Sequence, residues 1–86
     1  MTQEEHLAQA TIVQAKYTEE LMQMANVVGV AVGLIQRSGQ PTGDIGLVVL
    51  VARKVPYSQL AESDRIPPEL EGVPVDVQEV GEIKAF

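Results

Sequence analysis

The chain has 86 residues, a formal net charge of −6, 45% apolar residues, 3% aromatics and no cysteine. That length holds one domain, and the missing cysteine excludes disulfide staples, zinc–thiolate sites and thiol nucleophiles. The acidic balance, with no basic patch or stacking aromatics, argues against nucleic acid and anionic lipid as partners.

The opening MTQEEHLAQA has neither the basic end nor the apolar stretch of a secretory signal. No apolar run approaches the roughly 20 residues that span a bilayer. The expected setting is a reducing cytoplasm, with no membrane among the partners. With Tyr17, Tyr57 and Phe86 as the aromatics, aliphatic side chains must fill the core, and valine predominates. Valine is stiff at χ1 and suits a pleated surface, so the composition leans towards sheet.

A helix is predicted over about 3–25. Thr2 and Glu5 fit a capping box, and Glu4 and Glu5 suit the positive end of the helix dipole. Leu7, Ala10, Val13, Tyr17, Leu21 and Met24 recur at steps of three and four and form an apolar stripe. Ala8, Ile12, Ala15 and Met22 form a second, weaker stripe. Asn26 is a candidate left-handed cap.

A first strand is predicted over about 27–36. Val28, Val30, Val32 and Leu34 point one way, and Gly29, Ala31 and Gly33 the other. Glycines inside a strand mark a close approach, so the helix is expected against this smooth face. Residues 37–43, RSGQPTG, read as a long hairpin loop. The second strand, about 44–54, is apolar on both faces: Ile45, Leu47, Val49 and Val51 on one, Val48, Leu50 and Ala52 on the other. Such a strand is usually covered twice, so either the 55–72 segment or another chain is expected over the second face.

Residues 55–72 form a Pro-rich crossover with short helical turns. A third strand over about 73–80 turns Val73, Val75 and Val77 inward, with Pro74 marking an edge or a strand start. Residues 81–86 read as a tail. The expected fold is α+β: one helix on a small, mainly antiparallel three-stranded sheet, residues 1–86 forming a single domain.

No catalytic, cofactor-binding or metal-ligating residue is assigned. His6, the one histidine, has no serine near it in sequence, and Ser38, Ser58 and Ser63 sit in no nucleophile elbow. Calcium-loop spacing is absent, and the glycines do not make a phosphate cradle. Asp76 and Glu79 are the best acid–base candidates, and a pocket lined by them and an arginine, with perturbed titration, would argue for an unrecognised enzyme.

Residues 26–33 (NVVGVAVG), 42–56 (TGDIGLVVLVARKVP) and 64–81 (DRIPPELEGVPVDVQEVG) resemble the non-catalytic N-terminal segment of bacterial and plant (NARROW LEAF-type) proteins related to trypsin-like serine proteases. In such proteins the segment precedes the protease domain, so the chain is expected to be a stand-alone version or a fragment of something longer. No family catalytic residue has a counterpart to carry over. The resemblance implies a propeptide-like, docking or regulatory module with a protease-like partner.

The residues themselves favour a non-catalytic protein-interaction or self-association module, with a dimer as the commonest outcome. Gly29, Ala31, Gly33, Val48, Leu50, Ile12 and Met22 are its candidate surface.

Overall fold

The structure, a computed structural model, describes residues 2–81. Helix α1 spans Gln3–Met22, and strands β1 to β4 span Val27–Arg37, Gln40–Val51, Glu69–Leu70 and Val73–Glu79. Short 3-10 turns at Tyr57–Gln59 and Glu62–Asp64 punctuate the crossover. The tail expected over 81–86 lies, past Gly81, outside the described residues.

The α+β class holds, but the sheet has four strands in the order β1-β2-β4-β3 rather than three. It is mixed: β1–β2 and β3–β4 are antiparallel, and β2–β4 is parallel. The crossover carries the chain back to the start of the sheet, so β4 runs beside β2 in the same direction. At two residues, β3 is too short to leave a periodic signal.

Helix α1 starts as its sequence dictates. The Thr2 hydroxyl accepts the Glu5 N–H at 3.2 Å, and the Glu5 carboxylate accepts the Thr2 N–H at 3.2 Å. These hydrogen bonds hold the exposed Glu5 carboxyl below its usual range. The helix ends at Met22, earlier than expected, and Asn26 adopts a left-handed φ of 76° in the turn beyond it. Its side chain grips the end of β2: Oδ1 accepts the Arg53 N–H at 2.9 Å, and Nδ2 donates to the Arg53 carbonyl.

The core lies between α1 and one face of the sheet. Ala10, Val13 and Leu21 from the helix meet Val27, Leu47, Val49, Val51, Val73 and Val75, with Val30 and Val32 packed alongside. The helix therefore covers the large-residue face of β1, not the glycine face expected from the sequence. A helix stripe gains most by burying the larger apolar area, and Val30, Val32, Leu47 and Val49 offer more of it than Gly29, Ala31 and Gly33. The crossover covers the same side, since Ile66 and Leu70 pack onto this core.

The opposite face is covered neither by the helix nor by the 55–72 segment, whose Ile66 and Leu70 lie on the helix side. The β1–β2 hairpin bends and folds its own tip across it. The register breaks between Leu34, which pairs with Ile45, and Gln36, which pairs with Pro41, so Ile35 stands against the extra residues Thr42, Gly43 and Asp44, and Gly43 takes a φ of 84°. Beyond that bend the Gln36 N–H donates to Asp76 Oδ2 at 2.9 Å, across from β4. Ile35 is 1% exposed and Val48 8%, both outside the main core. RSGQPTG is thus not a long loop. Strand pairing runs out to Arg37 and Gln40, closed by Ser38 and Gly39 with φ of 52° and 77°. Two positive φ values in succession are the mark of a two-residue hairpin turn whose twist matches the strands.

Candidate functional site

Asp76 and Glu79 do meet an arginine in space. With Arg37, Lys54 and Gln78 they line an open cleft of about 600 Å³ between the folded hairpin tip and β4. Both carboxylates are engaged with the backbone there. Asp76 Oδ2 accepts the Gln36 N–H and, at 3.0 Å, the Gln78 side-chain amide. Glu79 Oε1 accepts the Lys54 N–H at 2.8 Å. A carboxylate accepting a backbone N–H makes a strong, charge-assisted bond, so these acids latch the hairpin tip and the start of the crossover. Alternation along the strand alone reads them as a solvent face; their partners lie 40 and 25 positions away.

His6 shares a second cleft, of about 540 Å³, with Gln3, Asp44 and Pro74. Among the described residues no group of three or more His, Cys, Asp or Glu could hold a metal ion. An apolar groove of about 450 Å³ lies under Arg53 and Lys54, floored by Val51, Leu60, Ile66 and Val77. Lys54 thus shares one cleft with Arg37 and another with Arg53.

The seven residues expected to form one interaction surface fall on two sides of the molecule. Gly29, Ala31, Gly33, Val48 and Leu50 share the face away from the helix. Gly29 pairs with Leu50 and Ala31 with Val48, and Val48 is buried. Ile12 and Met22 lie on the helix, 68% and 44% exposed. Leu7 and Leu34, absent from that expected surface, are 48% and 52% exposed.

Strand β1 is an edge of the sheet, and its backbone orientation follows from one bond. The Val51 carbonyl accepts the Val80 N–H on the β4 side, so Leu47, Val49 and Val51 of β2, which share one phase of the strand, turn their peptide groups to β4. Val48 and Leu50, alternating with them, turn theirs to β1. Their β1 partners Ala31 and Gly29 complete that ladder, which leaves the N–H and C=O groups of Val30, Val32 and Leu34 pointing away from the sheet. One of them is met: Gln14 Nε2 donates to the Val30 carbonyl at 3.0 Å.

Gln14 places one flank of the helix along this edge. Leu7, Thr11, Gln14, Thr18 and Met22, at steps of four and three, share that flank, and none is charged. Thr11 donates its hydroxyl to the Leu7 carbonyl at 2.8 Å, and Thr18 donates to the Gln14 carbonyl. Their hydroxyls are satisfied within the helix. The opposite flank, towards β3 and β4, is polar: Gln9 donates to the Glu71 carbonyl, and Lys16 pairs with the Glu71 carboxylate at 3.0 Å. Hydrogen bonding to Lys16 holds the Glu71 carboxyl below its usual range, and hydrogen bonding to Glu71 raises both Lys16 and Tyr17.

Among the described residues no helix is long and apolar enough to cross a membrane. No model of a known protein family matches the chain, and no curated protein matches it.

Proposed function

We infer that the chain is a non-catalytic protein-interaction module whose working surface is the β1 edge and the uncharged helix flank beside it. One observation carries this reading. An eleven-residue edge strand leaves backbone groups without a partner among the described residues, next to half-exposed Leu7, Met22 and Leu34. Soluble folds normally blunt such an edge with lysine, proline or an inward charge, and Val27 to Ile35 contains none of these. The cleft beside β4 supports it too, since its acids are occupied in latching the backbone.

The alternative, a propeptide-like regulator of a trypsin-like serine protease, rests on the resemblance of residues 26–33, 42–56 and 64–81. Its candidate cleft-entering segments are residues 37–43 and the tail 81–86. An inhibitory segment enters a protease cleft extended, whereas residues 37–43 are folded into a tight hairpin, and the tail past Gly81 lies outside the described residues, so this reading ranks second.

The test is affinity capture from native lysate with the tagged chain and with Leu34→Lys. A protein recovered by the parent and lost with the variant supports the reading. Equal recovery by both, or none by either, overturns it.

A further inference from the structure

The β1 edge is self-complementary. Gly29-Val30-Ala31-Val32-Gly33 reads the same in both directions about Ala31, and the apolar Val27–Val28 and Leu34–Ile35 flank it symmetrically. A two-fold axis normal to the sheet, midway between Ala31 and its copy, sets Val30 opposite Val32 of a second copy, Val32 opposite its Val30, and each Gly29 opposite a Gly33. The peptide groups of Val30 and Val32 are those that point outward, so Val30 and Val32 become mutually hydrogen-bonded pairs of an antiparallel ladder. Gln14 does not block this, because a carbonyl oxygen has two lone pairs and accepts a second donor.

The helix flank is symmetric about the same point. Leu7 and Met22 lie equally far from the middle of the flank, as do Thr11 and Thr18. Gln14, at that middle, touches Val30, next to the strand's own centre. The axis that pairs β1 with its copy therefore sets Leu7 opposite Met22 of the second copy and Thr11 opposite its Thr18. Helix α1 rests on β1 and β2. At a strand spacing of about 4.8 Å, a helix over the midline of that pair lies about 10 Å from its two-fold mate, the distance at which helices pack. No like charges meet on this line although each chain carries a net charge of −6.

We propose that two copies of this chain join by antiparallel pairing of β1 about Ala31, forming a continuous eight-stranded sheet with the two α1 flanks packed side by side. This rests on the interaction-module reading and names its partner as a second copy.

The first measurement is sedimentation equilibrium of the full chain. The expected mass is twice the 9.3 kDa of one chain. The second is oxidation of Ala31→Cys. Ala31 meets its own copy as a non-hydrogen-bonded pair with Cα atoms about 4.5 Å apart, within the roughly 4.4–6.8 Å that a disulfide bridges. The chain has no other cysteine, so a covalent dimer reports this contact alone. Ile12→Cys, on the outer crest of the helix, is the control and stays uncross-linked. Thr18→Lys and Leu34→Lys, both able to keep the parent's circular dichroism, shift the mass to that of one chain.

A parent dimer that neither cross-links through Ala31→Cys nor dissociates with the lysine variants overturns this interface while leaving a self-associating module. A parent of single-chain mass up to high micromolar concentration overturns self-pairing altogether. If the capture experiment then still recovers a foreign protein through Leu34, the module reading survives the loss of the dimer.

Discussion

Gly46 and Gly33 face each other across β1 and β2, yet the same substitution at each has opposite consequences. A Cβ on Gly46 would stand 2.3 Å from the Pro74 carbonyl oxygen, 2.9 Å from Ile35 Cγ2 and 3.0 Å from Pro74 Cγ. The first contact is with backbone in the adjacent strand, which cannot rotate away. Relief requires β2 and β4 to part where the parallel ladder begins, or Ile35 to leave its burial. Overpacking of this kind costs typically 1–3 kcal/mol, occasionally more, and a backbone clash belongs near about 3 kcal/mol. At about 4–8 °C per kcal/mol for a domain of this size, Gly46→Ala lowers Tm by about 12–24 °C. A Cβ on Gly33 meets nothing within 4 Å, and its φ is not in the left-handed region. Gly33→Ala therefore removes chain entropy from the unfolded state and raises stability by about 0.5–1 kcal/mol. Thermal melts by far-UV circular dichroism, at one fixed low protein concentration so that any association contributes equally, read both. Gly46→Ala melting within about 2 °C of the parent, less than 1 kcal/mol requires, would refute the packing of β4 and Ile35 on β2.

Three further tests probe other parts of the fold. Val49 is fully buried in the central strand, so Val49→Asp places an unpaired charge in the core and costs roughly 4 kcal/mol or more; a variant with the parent's urea midpoint refutes the core assignment. Asn26→Gly keeps the left-handed backbone and loses the two bonds to Arg53, at about 1–2 kcal/mol, whereas Asn26→Ala adds left-handed strain of about 1–2 kcal/mol. Equal urea stability of the two variants would show that the strain is absent. The third test is pH. Glu71 has a lowered folded pKa, so its contribution is present above the ordinary glutamate value of 4.5 and is lost as pH falls through the lower folded value. Lys16 and Tyr17 have raised folded pKa values, so theirs are present below their ordinary values and lost as pH rises through the folded ones. Glu71→Gln flattens both limbs of a Tm-against-pH profile, and a profile unchanged by that variant refutes the linkage.

The parts of this fold legible in the sequence are those whose cause is local. The capping box needs residues three apart, and it forms as read. Val73, Val75 and Val77 alternate inward as a strand requires, and all three reach the core. Two misreadings share one origin, dependence on residues far along the chain. RSGQPTG is rich in turn formers throughout, so composition could not show that two residues make the turn and that Gly43 makes a bend. The bend has meaning only with Asp76, 40 positions on, holding the Gln36 N–H. The side of β1 that receives the helix is likewise undecided by alternation, which separates two faces but does not say which one buries. That choice depends on summed apolar area over β1, β2 and β4 together.

The candidate surface escapes the sequence for a related reason. Leu7 continues the buried stripe of the helix in phase, yet it is 48% exposed. From the Gln14–Val30 contact, Leu7 lies about 10 Å back along the helix and Leu34 about 13 Å forward along the strand, at 1.5 and 3.3 Å per residue. The two leucines therefore come to the same end of the molecule, where the helix flank and the sheet edge run out together. A period of 3.6 and a period of 2.0 describe each element separately. Only the single bond between Gln14 and Val30 sets one pattern beside the other, and it turns an exposed stripe and a glycine-flanked valine strand into one continuous uncharged strip. The same bond aligns their two centres of symmetry. A strip whose halves match under a two-fold rotation presents to a second copy the surface that the copy presents to it, and that property depends on tertiary placement rather than on either segment's own sequence.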